Sequence, residues 1–266
     1  MSRYKKHVKV PGRLVIVGFG SIGQGVLPLL LRHLDIAPSQ VTIVTAEERG
    51  HGEADENDVR FIVHPLTPEN YTAVLDPLLG KGDFLLNVSV EVSSVALAEL
   101  CRGKEALYLD TCIEPWPGGY TDPTLPPSLR TNYALRERAL ALREGQGKAP
   151  TAVLTHGANP GMVSHLVKQA LLNIAADTGL ETAKSKTREE WGALAERLGI
   201  RSIHIAERDT QVSPQPKKPG EFVNTWSIDG FVSEGEQPAE LGWAAMSAIF
   251  PPMAGATNSA PAAASI

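Results

Sequence analysis

Over roughly the first 155 residues, apolar runs of four or five positions alternate with stretches in which apolar residues recur every third or fourth place. Runs of the first kind suit strands buried on both faces, and the second pattern marks amphipathic helices. The clearest run, Leu14-Val15-Ile16-Val17, passes directly into Gly18-Phe19-Gly20-Ser21-Ile22-Gly23, after which Ile22, Val26, Leu29 and Leu30 share one helical face. Pro28 removes an interior amide from that helix and predicts a kink. Further strands are predicted at Val41–Thr45, Val59–Val63, Phe84–Val88, Leu107–Asp110 and Ala152–Thr155. Between them lie a helix opened by Thr67 as N-cap with Pro68 in its first position, and a helix from Ser93 to Arg102 stopped by Gly103. An arginine- and alanine-rich helix from Leu129 to Arg143 has a solvated charged face and no evident chemistry. Strand and helix in regular alternation predict an α/β fold with a doubly wound parallel sheet of Rossmann type.

Past residue 155 the pattern changes. Asn159 as N-cap and Pro160 behind it predict a helix from Met162 to about Ile174. Thr187 and Glu190 form a capping box for a helix with Trp191, Leu194 and Leu198 on one face. From Arg201 the residues alternate, so Ile203, Ile205 and Glu207 fall on one side of an expected strand, and Phe222, Asn224 and Trp226 on one side of the next. The Pro- and Lys-rich stretch Pro214–Gly220 between them reads as a surface loop or lid. From Ala244 onward periodicity is lost and charged residues are absent, as in disordered or foreign sequence. The expected organisation is a nucleotide-binding domain over 1–155, a partial α+β substrate domain over 156–243 and a tail over 244–266.

Composition narrows the partners. A net charge of −5 over 266 residues argues against general nucleic-acid binding, which needs a basic stripe to displace counterions. Two cysteines, Cys101 and Cys112, imply no disulfide framework and fit a reducing cytoplasm. No apolar segment reaches membrane-spanning length, and Met1–Val10 does not read as a secretory signal. Nothing in the spacing of the seven histidines suggests a metal site.

The glycine turn supplies the first chemistry. Gly18 permits a tight turn, Gly20 lets the backbone approach a pyrophosphate, and Gly23 allows the helix to pack closely on its strand. Ser21 and Ile22 belong to the first helical turn, whose amides lack internal acceptors and carry the positive end of the helix dipole. Such glycines also serve simple tight connections, but a strand before and a helix after favour a dinucleotide. Glu47, just past the second strand, is the nearest carboxylate to the expected ribose position and would favour NAD over NADP; an exposed loop acid beside Glu48 is the equal alternative.

Ligands of such sheets bind beyond the carboxyl ends of the strands, and carboxylates recur there: Glu91, Asp110, Glu114, Glu207, Glu234 and Glu240. Several acids near a nicotinamide would repel an anion and attract a cationic amine. Trp226 could hold such a cation over its ring, worth about 0.5 to 2 kcal/mol, or serve as an ordinary core residue.

Five stretches together resemble bacterial homospermidine synthases of the saccharopine dehydrogenase-like group: Gly18–Gly25, Leu109–Trp116, Thr155–Gly161, Ala206–Thr210 and Asn224–Ser227. The resemblance runs to about Trp243. It implies a homodimeric transferase of polyamine biosynthesis that joins two putrescines, or related diamines, into homospermidine with loss of ammonia, using NAD as a recycled prosthetic group. It further implies Glu207 and Glu234 as inner acids, Glu114 for the distal amine, Asn159 near the nicotinamide and Trp226 as the cation-binding ring. Glu91 stands where the family is expected to have Asp. Family members are much longer, so an active synthase and an inactive fragment both remain open. A related amine or amino-acid dehydrogenase of the saccharopine or carboxynorspermidine type, and a non-enzymatic NAD-binding remnant, are the alternatives.

Overall fold

The computed structural model describes residues 4–143, 147–181, 185–208, 210, 212–224, 226–236 and 238. The expected tail over 244–266 lies outside the described residues, as do Glu240, Asp209 and Thr225.

In chain order the elements are β1 (Val8–Lys9), β2 (Leu14–Val17), α1 (Ser21–His33), β3 (Leu34–Asp35), β4 (Val41–Thr45), α2 (His51–Glu56), β5 (Arg60–Val63) and α3 (Tyr71–Leu75). There follow β6 (Phe84–Asn87), α4 (Ser94–Gly103), β7 (Leu107–Asp110), α5 (Asn132–Ala141), β8 (Ala152–Val153), α6 (Met162–Asp177), α7 (Arg188–Arg197) and α8 (Ile228–Glu236). Six strands form one sheet in the order β5-β4-β2-β6-β7-β8, every pair parallel, while β1 and β3 make a separate two-stranded parallel pair. The expected doubly wound sheet is therefore present. Its order reverses between β2 and β6, where Val17 pairs with Val44 on one side and Asn87 on the other. Such a switch point opens a crevice at the carboxyl ends of both strands.

All four residues of β2 are buried, because helices cover both faces of the sheet. Side-chain alternation splits them. Val15 and Val17 join Leu85, Leu97, Cys101 and Tyr108 on one face, and Leu14 and Ile16 join Leu27, Ile43, Ala54 and Phe19 on the other. At the opposite end of the sheet Asp83 fixes β2 against β6: its carboxylate accepts the Arg13 backbone N–H at 2.7 Å, Arg13 Nε at 2.9 Å and the Gly80 N–H at 2.8 Å.

The described parts of Met1–Pro160 and Asp209–Pro238 form one compact unit, and Gly161–Arg208 form the basis of a second. In the second, α6 packs on α7 through Leu171, Ala175, Trp191 and Leu194, with Leu198 beside them. The capping box is formed: Thr187 Oγ1 accepts the Glu190 N–H at 3.2 Å and the Glu190 carboxylate accepts the Thr187 N–H at 3.2 Å.

Several local expectations need correction. Thr67–Asn70 is a turn in which the Asn70 and Tyr71 amides both bond to the Thr67 carbonyl, so α3 starts at Tyr71 and Thr67 caps no helix. Asn159 is not an N-cap either. The Gly157 N–H bonds to the Pro160 carbonyl at 2.9 Å, closing a turn, and Gly161 at φ 129° becomes the residue before α6. Neither Arg201–Glu207 nor Phe222–Trp226 is a strand among the described residues. Alternation alone places side chains but supplies no partner for the backbone, and a strand without a neighbour leaves its polar groups unpaired. Ile203 and Ile205 are accordingly exposed, at 44% and 48%.

Candidate active site

The nucleotide cradle is built from backbone. Gly18 adopts φ +86° and donates its N–H to the Val44 carbonyl at 2.9 Å. A Cβ there would stand 2.7 Å from the Cα of Ser89 on the loop after β6, so left-handed geometry and close approach both exclude a side chain. At Gly23 a Cβ would meet the Gly18 carbonyl oxygen at 2.9 Å, which is the tight packing of helix on turn. Gly20 differs: its Cβ would meet nothing within 4 Å. The side of the turn where a pyrophosphate would approach is open. Gly20 also precedes α1 without a side-chain cap, and the first turn, with Ser21 and Ile22 exposed, holds no acid. Its amides and dipole are thereby available to an anion.

Beyond β4, Glu47 is exposed and lies 3.7 Å from the Arg49 guanidinium. His51 stacks on Phe61 with centroids 4.7 Å apart, and Phe61 meets Phe19 edge-on at 5.8 Å. A stack of rings, Phe19, Phe61 and His51, thus borders the glycine turn on the β4 side.

On the other side of the switch point the acids gather. Glu114, four residues past β7, is only 7% exposed, and its Oε2 has no hydrogen-bond partner among the described residues. Burial pushes its carboxyl up to about 7; hydrogen bonds from the Glu91 backbone N–H and the Cys112 thiol oppose this, while the charges of Glu234 and Glu91 add to it. Glu91 is exposed and sits at φ +59°, a left-handed conformation that Asn and Asp tolerate better than Glu. Cys112 is pushed up to about 12, chiefly by burial and then by Glu114, Glu234 and Asp110, so it is no thiolate nucleophile at neutral pH. Glu114 is held by its own backbone: its N–H donates to Ser94 Oγ at 3.0 Å and its carbonyl accepts the Ser94 N–H at 2.9 Å. Glu91, Glu114 and Glu234 are brought together, although Glu234 comes from α8 rather than from a segment trailing a strand.

Trp226 is half-buried at the start of α8. Its ring meets Phe231 at 6.5 Å, and a Cβ on Gly230 would stand 2.9 Å from its Cζ3. Phe222 reaches the same Phe231 at 4.9 Å, so the two aromatics expected on one strand face converge on a helix instead. Asn159 is exposed on the turn between β8 and α6. Glu207 is exposed in an irregular stretch of the second unit.

Beneath these groups runs a buried polar string that takes in Asp110, one of the carboxylates expected beyond the strands. Asn87 Oδ1 accepts both the N–H and the hydroxyl of Ser89, at 3.1 and 2.5 Å; Asn87 Nδ2 donates to the Tyr108 hydroxyl at 3.3 Å. Tyr108 in turn donates to Asp110 Oδ2 at 2.8 Å, and Asp110 Oδ1 accepts the Thr155 N–H at 2.5 Å. The signal was present in Asn87 and Asp110, polar residues that close otherwise apolar strands at paired positions of the register.

Residues 14–154 match the saccharopine dehydrogenase NADP binding domain family, and 157–260 match the saccharopine dehydrogenase C-terminal domain. The chain is 50% identical over 246 residues to a homospermidine synthase of Blastochloris viridis, covering 91% of this chain and 52% of that protein. A homospermidine synthase of Mesorhizobium japonicum is 46% identical over 240 residues, covering 88% and 50%. Among solved structures, the homospermidine synthase of Legionella pneumophila in complex with NAD superposes with a TM-score of 0.80 at 48% identity, over 92% of this chain and 51% of that one. The expected resemblance is borne out, and the chain spans about half the length of the relatives it matches. Since the first of these matches takes in the whole sheet with its glycine turn, the chain belongs to the saccharopine dehydrogenase NADP binding domain family.

Proposed function

We propose that the chain carries the nucleotide site and part of the amine site of a homospermidine synthase, which condenses two putrescines into homospermidine with release of ammonia. The observation that carries this reading is Glu114: a buried carboxyl with one oxygen unpartnered among the described residues, flanked by Glu91 and Glu234, beside the same switch point that forms the glycine cradle. The similarity to homospermidine synthases supports it.

The residues present fit a dinucleotide. The open face at Gly20 and the uncapped first turn of α1, with Gly18, Ser21, Ile22 and Gly23, would hold the pyrophosphate; Glu47 would accept hydrogen bonds from the ribose and favour NAD. When bound, NAD supplies reversible hydride acceptance. What the chain itself contributes is cation management. Glu114 holds the far ammonium of a diamine, Glu234 receives the protons that leave and rejoin the reacting nitrogen, and Glu91 neutralises the second amine. Asn159 orients the reacting carbon near the nicotinamide. Trp226 presents a ring to the positively charged iminium without reacting with it. In this reading the nucleotide domain is 1–155 and the partial substrate domain 156–243, and the enzyme works in the cytoplasm as a homodimer. Among the described residues no helix is long and apolar enough to cross a membrane.

Mass spectrometry of the purified chain with putrescine and NAD tests the reading. Homospermidine without net NADH is the expected result. Net consumption of NAD(P)H with a carboxylate-bearing amine would replace it by a saccharopine- or carboxynorspermidine-type dehydrogenase, and nucleotide binding without amine conversion would leave a binding remnant.

A further inference from the structure

We infer that Asp110 is a positioning residue, which through the string Ser89–Asn87–Tyr108–Asp110–Thr155 holds the turn carrying Asn159 in register with the nucleotide cradle. The inference rests on the reading of Asn159 as a group that meets the reacting carbon.

Both ends of the string are fixed to parts of the site. At one end Ser89 is the residue against which Gly18 is pressed, with Gly18 Cβ space blocked at 2.7 Å by the Ser89 N and Cα. At the other, Asp110 takes two successive amides: Oδ1 accepts Thr155 N–H at 2.5 Å and the backbone carbonyl accepts His156 N–H at 2.9 Å. Thr155 is held there at φ +60°, a conformation unfavourable for a β-branched residue, so something must enforce it. The carboxylate is the enforcing contact. Gly157 follows, its Cβ space blocked at 2.7 Å by the Thr111 carbonyl oxygen, and its N–H closes the turn on Pro160. Asn159 is the residue that this turn presents. β8 contributes only Ala152 and Val153 to the sheet, and its two partners on β7 are Tyr108 and Leu109, so the ladder itself ends before the turn begins. Beyond that point Asp110 takes over the ladder's task.

A buried network of this kind costs stability when broken and gives placement when complete, because every member is satisfied only in one arrangement. Asn87 and Asp110 are 2% and 0% exposed, and Tyr108 is 1% exposed between them. An oxygen-for-nitrogen change in such a setting leaves volume unaltered and isolates the hydrogen bonds.

The test compares Asp110→Asn, Asp110→Ala and Tyr108→Phe in the full chain, reading amide hydrogen exchange residue by residue and, where product forms, kcat against the KM for NAD. Asp110→Asn keeps an acceptor for Thr155, so Thr155, His156 and Gly157 should stay protected to within about threefold, whereas Asp110→Ala should lose about tenfold or more there. In both, Ile16, Val44 and Leu85 should exchange as in the parent chain. Tyr108→Phe, which keeps the core filled if Asp110→Ala does not fold, should deprotect the same three amides and lower kcat about tenfold with the NAD KM unchanged. Uniform loss of protection across the sheet, no loss at Gly157, or an equal fall in kcat and in apparent NAD affinity would overturn the inference. If the parent chain makes no homospermidine, the functional reading falls by itself and the exchange pattern still decides the role of Asp110.

Discussion

Gly18 and Ser89 are pressed together across the point where the strand order reverses, so closely that a Cβ on Gly18 would lie 2.7 Å from the Ser89 Cα. Gly20, two residues on, faces open space. Neighbouring glycines of one motif therefore answer to different constraints, and alanine substitution separates them. Gly18→Ala should destabilise the fold by about 2 to 4 kcal/mol, the sum of left-handed strain and forced repacking. Gly20→Ala should leave the denaturation midpoint almost unmoved while weakening NAD binding at least about tenfold, because its methyl enters the space of the pyrophosphate. Denaturant unfolding and NAD titration of the two variants check this.

Glu114 makes stability depend on pH in a direction unusual for a carboxylate. Its ordinary value of 4.5 applies in the unfolded chain and about 7 in the fold, so the fold prefers the protonated form. The contribution is fully present below pH 4.5 and is lost as pH rises from there through 7, amounting to about 3 kcal/mol by pH 8. Glu114→Gln should remove that slope, so that the variant gains on the parent chain between pH 5 and pH 8. Parallel midpoints across this range would refute the burial of the charge.

The sheet was legible because its strands are contiguous apolar runs bounded by turn residues, and because glycine placement and the Thr187 capping box are local signals. Ser93, expected as the first residue of a helix, caps it instead, its hydroxyl accepting the Ala96 N–H at 3.3 Å. Thr67 and Asn159 misled for one reason: a capping side chain followed by proline also starts a tight turn, and only the later backbone shows which has formed. The alternation after Arg201 carried face information but no pairing information. Glu91 and Glu114 were visible as acids following strands, whereas Glu234 follows no strand and lies on α8; the buried state of Glu114 was not visible, since burial comes from the packing of α4 and the loop after β7 rather than from neighbours in sequence.

Gly230 offers a way to move Trp226 without touching it. A Cβ at Gly230 would meet the indole Cζ3 at 2.9 Å, and a rigid ring has little room to give. Under the proposed function Gly230→Ala should therefore shift the tryptophan emission and lower homospermidine formation severalfold, while NAD binding at the glycine turn stays within about twofold. Unchanged product formation with a shifted spectrum would remove Trp226 from the reacting site.

The unit built on Gly161–Arg208 should respond to its own cap. Thr187→Ala removes the hydroxyl that accepts the Glu190 N–H and should cost about 1 kcal/mol in α7, exposing Trp191 to quenchers sooner on heating. Exchange of Ile16 and Leu85 in the large sheet should be indifferent to it.

A carboxyl that titrates at about 7 is, at neutral pH, a store of acid as much as a charge. A diamine dication settling beside Glu114 would pull its titration back toward the ordinary range and expel about half a proton per site into the medium near pH 7. The heat of diamine binding should then change with the ionisation enthalpy of the buffer, and that dependence should vanish in Glu114→Gln. The first sign of an amine reaching this pocket would be acid leaving it.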